Sequence, residues 1–230
     1  MKDIITCLRL VKYTLQLKML LAFSIIFFVL GILFEITSFD NYGPWSLGAL
    51  YMGLAGIYIF QMVFCVSVSK MVQASPIKRA LQTTGPFVIS FGACLISMTV
   101  YIVIRVMKVT PEAIEEAGVS YATAYSALLY VAVAMFIMLI YSSISYKSYV
   151  FSLILLGVTF LPFIYLVTVK NLLVDFAEVL LTADNSPIMI IVVSYGIMIM
   201  AFIIGYIMSL VVYKKDISDL AVRYALRKAK

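Results

Sequence analysis

The residues of this chain that could do chemistry lie almost entirely outside its apolar stretches. Its 230 residues include no histidine, which removes the commonest general base and the HExxH zinc motif. No glycine-rich loop followed by Lys and Ser or Thr is present, so ATP hydrolysis by that route is excluded. The apolar stretches hold almost no charge: Glu35 lies near the end of the first, and Arg105 borders the third. Membrane enzymes and ion-coupled carriers need such groups near the midplane, and we therefore predict a non-catalytic chain.

The thiols predict no metal site and no bound cofactor. Cys7, Cys65 and Cys94 form no CxxC pair, and none falls in a segment where a disulfide framework would be expected. Cys65 and Cys94 lie inside apolar stretches, where a cysteine acts as a small hydrophobic residue.

Polar residues within the apolar stretches are few and uncharged. They include Gln61, Ser97 and Thr159, together with Pro162, which interrupts the fifth stretch. A proline within a spanning helix kinks it and frees a carbonyl, so it either shapes a cavity or only bends the helix. These four positions form a sparse candidate translocation path, which would suit an apolar or amphipathic cargo.

A short basic segment between the second and third apolar stretches has the signals of a helix. It comprises Ser75, Pro76, Ile77, Lys78, Arg79, Ala80 and Leu81. Ser75 is a typical N-cap and Pro76 suits the first helical position, while Gly85-Pro86 is expected to end the helix. We predict two helical turns over residues 75–82. The alternative is a tight basic turn that only fixes membrane topology.

Six apolar stretches must position these residues. Hydrophobic residues make up 64% and charged residues 12% of the chain, which excludes a soluble globular domain. Each stretch is close to the roughly 20 residues that cross a ~30 Å hydrocarbon core. The stretches are Leu20–Ser38, Trp45–Ser69, Phe87–Ile104, Tyr121–Tyr141, Tyr149–Val169 and Ile188–Tyr213.

The distribution of charge predicts the orientation of the spans. If the N-terminus is cytosolic, all of the 17 Lys and Arg residues except Arg105, Lys108 and Lys170 lie on the cytosolic side. That is the asymmetry of the positive-inside rule. We therefore predict an all-α integral protein of the plasma membrane, with six transmembrane helices and both termini in the cytosol. The positive charge indicates topology, and no basic run interleaved with aromatics suggests a nucleic-acid partner.

The chain is predicted to form a single transmembrane domain over residues 1–230, with 19–213 holding the six spans. Residues 1–18 predict a basic amphipathic helix in the inner headgroup plane, with a frayed polar tail as the alternative. Residues 214–230 predict a cytosolic helix that extends the last span. On the outer side, Thr110–Gly118 predicts a capped short helix, and Leu172–Ala183 an amphipathic helix at the membrane surface.

Small residues at helical spacing predict where spans pack closely. They are Ala49, Gly53 and Gly56 on the second span, and Ala201, Gly205 and Ser209 on the sixth. Small side chains let two backbones approach in lipid. The partner of each face is either another span of this chain or a second permease-like chain.

In its basic N-terminus, six spans and the Ser75–Arg79 segment, the chain resembles the membrane subunits of type-2 ABC exporters. The resemblance implies that residues 75–81 form the coupling helix that docks on a separate ATPase. It also implies a second permease, identical or paralogous, and ATP and Mg²⁺ bound by the ATPase subunits. Small size and hydrophobic spans resemble, more weakly, bacterial exporters of amphipathic peptides.

These observations lead us to expect a permease subunit that moves an amphipathic or hydrophobic substrate, a peptide or a lipid-like molecule, across the lipid membrane. Two alternatives remain open. One is the substrate-binding membrane module of a vitamin-uptake transporter, and the other is a non-transporting scaffold or immunity protein.

Overall fold

The computed structural model of the chain describes residues 2–14, 16–37, 42–44, 46–181 and 186–226. Within these ranges the protein is all-helical and contains no strand. The helices are α1 Lys2–Val11, α2 Leu17–Thr37, α3 Leu47–Ser67, α4 Lys70–Gln73, α5 Lys78–Gln82, α6 Thr84–Lys108, α7 Pro111–Ala117, α8 Tyr121–Ser145, α9 Tyr149–Thr168, α10 Leu172–Leu180, α11 Ile188–Val212 and α12 Asp219–Leu226.

Six of these helices, α2, α3, α6, α8, α9 and α11, are long and apolar enough to cross a membrane. They coincide with the six predicted stretches, which are thereby confirmed as helices. Their outward surfaces carry many exposed large apolar side chains, among them Val29, Leu153, Val158 and Ile207. An apolar surface of this extent is incompatible with water and fits a lipid environment. The predicted ends at Ser38 and Trp45 lie outside the described residues.

Helix α3 packs between α2 and α6. Ser24 Oγ donates to the carbonyl of Ala55 on α3, and Ser90 Oγ on α6 donates to that of Gly56. Helix α8 lies at the centre and packs against α3, α6, α9, α10 and α11. It is the most deeply buried of the six spanning helices.

The short helices divide between the two ends of the bundle. α1, α5 and α12 lie at what we call the basic end, where α3, α8 and α11 finish and α6 begins. α7 and α10 lie at the opposite end. α7 begins and ends as predicted, since Thr110 Oγ1 accepts from the amide of Ala113 and Gly118 adopts φ 63°. α10 is also helical as predicted, but it ends at Leu180, and Ala183 lies outside the described residues.

The prediction of one helix over residues 1–18 is wrong in its extent. α1 ends at Val11, a turn follows, and α2 begins at Leu17. One side of α1 is buried, because Cys7 and Val11 pack against α3, α5 and α6. Ile5 and Leu8 remain exposed. The chain breaks after Val11 because Thr14 Oγ1 donates to the carbonyl of Met62, which turns the backbone toward α3.

The prediction for the basic segment is wrong at its N-terminal end, whereas α5 ends at Gln82 as predicted. α5 begins only at Lys78, with Ile77 in the N-cap position, and the Ser75 hydroxyl accepts from the amide of Ile77 in the turn before the helix. Gly85-Pro86 does not end a helix but lies in the first turn of α6. There a proline needs no amide partner, and Gly85 admits the Cys7 side chain of α1: a Cβ at Gly85 would lie 2.5 Å from Cys7 Sγ.

The C-terminal segment does not extend the last span as predicted. α11 ends at Val212 and α12 begins separately at Asp219. The backbone between them is held by partners outside α11, because the amide of Ser218 donates to the carbonyl of Tyr146 at 3.0 Å. Residues 227–230 lie outside the described residues.

Candidate functional site

The basic segment forms a small platform at the basic end of the bundle. Arg79 is exposed and Lys78 is half-buried, whereas Leu81 is fully buried with Cys7 and Val66. Thr83 closes α5, since its hydroxyl donates to the carbonyl of Arg79 at 2.7 Å. The platform is therefore firmly attached to α1, α3 and α6 while it presents a basic side chain outward. Ser75 and Ala80 are half-buried and Pro76 is exposed.

Gln82, the last residue of α5, joins the platform to the turn between α8 and α9. Its backbone carbonyl accepts from the Tyr146 hydroxyl at 2.7 Å, and its Oε1 accepts from Lys147 Nζ at 3.0 Å. Gln82 and Tyr146 are buried. A displacement of α5 must therefore move the end of the central helix α8.

Lys147 also holds the end of α11. Its ammonium donates to the carbonyls of Tyr213 at 3.3 Å and Lys215 at 2.5 Å, and it lies near the rings of Tyr146 and Tyr213. Burial lowers the pKa of Lys147 to about 8, an effect that Lys78 reinforces and Asp216 opposes. Lys147, Tyr146 and Gln82 thus link α5, α8 and the segment after α11 into one network.

We expect the stability of the protein to depend on the titration of Lys147. Its pKa is about 8 in the folded chain and 10.5 in an exposed lysine. The unfolded chain binds more protons between these values, so the free energy of unfolding should rise with pH from about 8 to about 10.5. The Lys147→Met variant should lack this contribution. Thermal unfolding of both proteins at about pH 7 and about pH 9.5 measures the difference.

The matched control for this comparison is Lys214→Met, because Lys214 is exposed at the same end of the bundle. It should follow the pH dependence of the unsubstituted chain. Parallel pH profiles for the unsubstituted chain and Lys147→Met would contradict the assigned role of Lys147.

The sequence did not reveal that Gln82, Tyr146 and Lys147 form a hydrogen-bonded network. One signal was available: Lys147 is the only charged residue between Tyr121 and Val169. A lone cation in the short turn between two spans has no local counter-ion, so its partners must come from elsewhere in the fold.

Of the four candidate path residues, Gln61 and Thr159 line two neighbouring cavities, whereas Ser97 and Pro162 line neither of these. Gln61 lines a cavity of about 120 Å³ at the basic end, between α3, α8 and α12. Thr159 lines a second cavity of about 100 Å³ between α8 and α9. Ser97 is buried on α6, and Pro162 is exposed on α9, which continues through it.

The small-residue faces of α3 and α11 are turned inward, against other helices of the same chain. Gly53 lies beside Met138 of α8, Gly56 beside Cys94 of α6, and Gly205 against the ring of Phe87. Ala49, Ala201 and Ser209 are each about 1% exposed or less. These faces are therefore occupied within the chain and are not open to a second copy.

The opposite end of the bundle contains a buried ion pair that the sequence indicated only as two separate charges. Arg105 Nη1 donates to Glu35 Oε1 at 2.9 Å, and both side chains are at most 3% exposed. Ser46 Oγ donates to the other carboxylate oxygen, and the guanidinium also donates to the carbonyls of Ala124 and Gly43. The pair ties α2, α6 and α8 together, which indicates a structural role.

No protein-family model matches the chain, and no curated protein or solved structure matches it either.

Proposed function

We propose that this chain is the permease subunit of an ATP-driven ABC exporter in the plasma membrane, and that it is not itself an enzyme. The observation that carries the proposal is the basic platform at α5, which presents Arg79 outward and is bonded through Gln82 to Tyr146 and Lys147. A separate ATPase chain would bind ATP and Mg²⁺ and dock on this platform. A second permease, identical or paralogous, would complete the pathway.

The bonded network supplies a route for mechanical coupling. A force on α5 would act through Gln82 on the turn between α8 and α9, and Lys147 would carry it to the end of α11. Because α8 contacts most of the other spans, displacement of its end would change the packing of the whole bundle. Packed helices respond to such a displacement by switching between discrete arrangements.

The proposal requires the basic end to be cytosolic. We expect a cysteine at Glu116, which is exposed on α7, to react with a membrane-impermeant maleimide in intact cells. A cysteine at Lys214, exposed after α11, should react only after the cells are permeabilised. The unsubstituted chain gives the background from its own thiols, of which Cys7 and Cys94 are buried. The reverse labelling pattern would refute this orientation.

We expect the Arg79→Glu variant to lose the ATPase partner. Reversal of charge at an exposed docking residue introduces like-charge repulsion if the partner surface is acidic. The apolar packing of Leu81 and the hydrogen bonds of Gln82 stay intact. The tagged full chain should co-purify from its own membranes with an ABC ATPase, and capture should fall at least about tenfold in the variant, which corresponds to ~1.4 kcal/mol.

The control for this experiment is Lys170→Glu, an exposed charge reversal in the segment between α9 and α10. It should capture the ATPase as well as the unsubstituted chain does. Absence of any ABC ATPase from all three preparations would refute the exporter and favour a non-transporting scaffold.

A further inference from the structure

The two cavities of the bundle adjoin at Tyr141, which lines both. One lies at the basic end, and the other lies between α8 and α9. Their lining on α8 runs from Phe136 to Ser145, a rise of about 14 Å along the helix. This is close to half of a ~30 Å hydrocarbon core. The combined space therefore has the depth of a single leaflet.

The deeper cavity is a groove for hydrocarbon. It is lined by Phe136, Ile137, Ile140, Tyr141, Leu155, Leu156 and Thr159. The hydroxyl of Thr159 already donates to the carbonyls of Leu155 and Leu156 at 2.8 Å and 3.2 Å. Nothing in this groove requires a polar partner from a ligand. Its α9 side borders exposed Ile154 and Val158, so an acyl chain could enter from the bilayer.

The cavity at the basic end is different, because it combines aromatic walls with polar groups. Ser145 and Tyr146 line it, and their hydroxyls already donate to the carbonyls of Ser142 and Gln82. Gln61 Oε1 is buried and accepts no hydrogen bond from any residue that the structure describes. A buried acceptor without a donor costs free energy. A ligand that carries a hydroxyl or an amide N–H would recover it when the Gln61 side chain turns its Oε1, which has almost no accessible surface in this structure, toward the cavity.

The absence of charge from the lining restricts the chemical class of the ligand further. None of the described residues that line the two cavities is charged, and the nearby ammonium of Lys147 is already bonded to three oxygens. An ionic headgroup would therefore lose hydration without gaining a counter-ion.

We propose that the two cavities form one binding site for a neutral single-chain lipid, with its acyl chain between α8 and α9 and a hydrogen-bond donor of its headgroup on Gln61. This lipid would be the substrate class of the proposed exporter. The binding site depends on that proposed function only for the statement that the bound lipid is transported. Ala221 of α12 closes one wall of the headgroup cavity, so the bound lipid lies between the central helix and the network that holds the end of α11.

Equilibrium binding of monolaurin to the purified full chain in phosphatidylcholine nanodiscs tests this site. Laurate has the same chain with an anionic headgroup, and dodecane has the chain without a donor. Monolaurin should bind at least about tenfold more tightly than either, the equivalent of one hydrogen bond to a buried acceptor. The Gln61→Leu substitution should lower the affinity for monolaurin about tenfold and leave the affinity for dodecane unchanged.

A second pair of variants tests the groove. Leu156→Trp should fill it and abolish binding, whereas Leu161→Trp, at a position 69% exposed on the same helix, should bind as the unsubstituted chain does. Four results would each overturn the site. They are a failure of monolaurin to bind, equal affinities for laurate and monolaurin, unchanged monolaurin affinity in Gln61→Leu, and equal effects of the two tryptophan substitutions. Lipid binding requires no ATPase. A negative binding result would therefore not refute the exporter, and a negative ATPase capture would not refute the lipid site.

Discussion

Replacement of Arg105 by methionine should destabilise the protein by about 3–5 kcal/mol, because it leaves a buried charge without its partner. Glu35 is 2% exposed and would retain only the hydroxyl of Ser46 as a side-chain donor to its carboxylate among the bonds described above. Arg105 also binds the carbonyls of Ala124 and Gly43, so its loss loosens α6 from two neighbouring segments. The free energy of unfolding in mixed detergent micelles measures the effect.

A double-mutant cycle separates the ion pair from the other contacts of Arg105. The Glu35→Met and Arg105→Met changes together should cost clearly less than the sum of the single changes, since the double variant buries no lone charge. Lys170→Met, an exposed position, gives the baseline for loss of a cation. Strict additivity of the two single changes would show that Glu35 and Arg105 do not interact in the native protein.

Gly48→Ala should also destabilise the protein, by about 1–3 kcal/mol, as overpacking of a closely packed interior does. A Cβ at Gly48 would lie 2.7 Å from the carbonyl oxygen of Gly31 and 3.1 Å from the backbone nitrogen of Glu35. Both contacts are with backbone, so no side-chain rotation relieves them. Separation of α2 from α3 would also disturb the ion pair, because Glu35 lies at this crossing.

Gly196→Ala is the matched control, because a Cβ there has no neighbour within 4 Å. In the interior of a helix alanine is favoured over glycine by up to about 1 kcal/mol, so this variant should be as stable as the unsubstituted chain or more so. Unfolding in the same detergent titration compares the two. Equal effects of the two substitutions would mean that α2 and α3 are not in backbone contact.

The sequence predicts those features that depend on local chemistry. Thr110, Pro111 and Gly118 define α7 because each satisfies a local backbone requirement. The six spans follow from runs of apolar residues for the same reason. Hydropathy does not rank the spans by their burial within the bundle, however, and so could not identify α8 as the central helix.

The predictions that were wrong or missing concern features that depend on contacts between distant segments. Gly85 looked like a helix terminator, but its lack of a side chain serves the approach of Cys7 from α1. Glu35 and Arg105 are 70 residues apart, and no spacing rule connects them. The partners of Lys147 come from α5 and from the segment after α11, so its role was visible only when the ends of the helices were placed together.

The central position of α8 has a consequence for biogenesis. Its most extensive partner is α11, which the ribosome makes after α8, so α8 enters the bilayer before its main neighbour exists. Until then the side of α8 that packs against α11 in the finished protein must face lipid or a membrane chaperone. A nascent chain interrupted before Ile188 would be inserted but unassembled, and membrane quality-control proteases would be expected to degrade it.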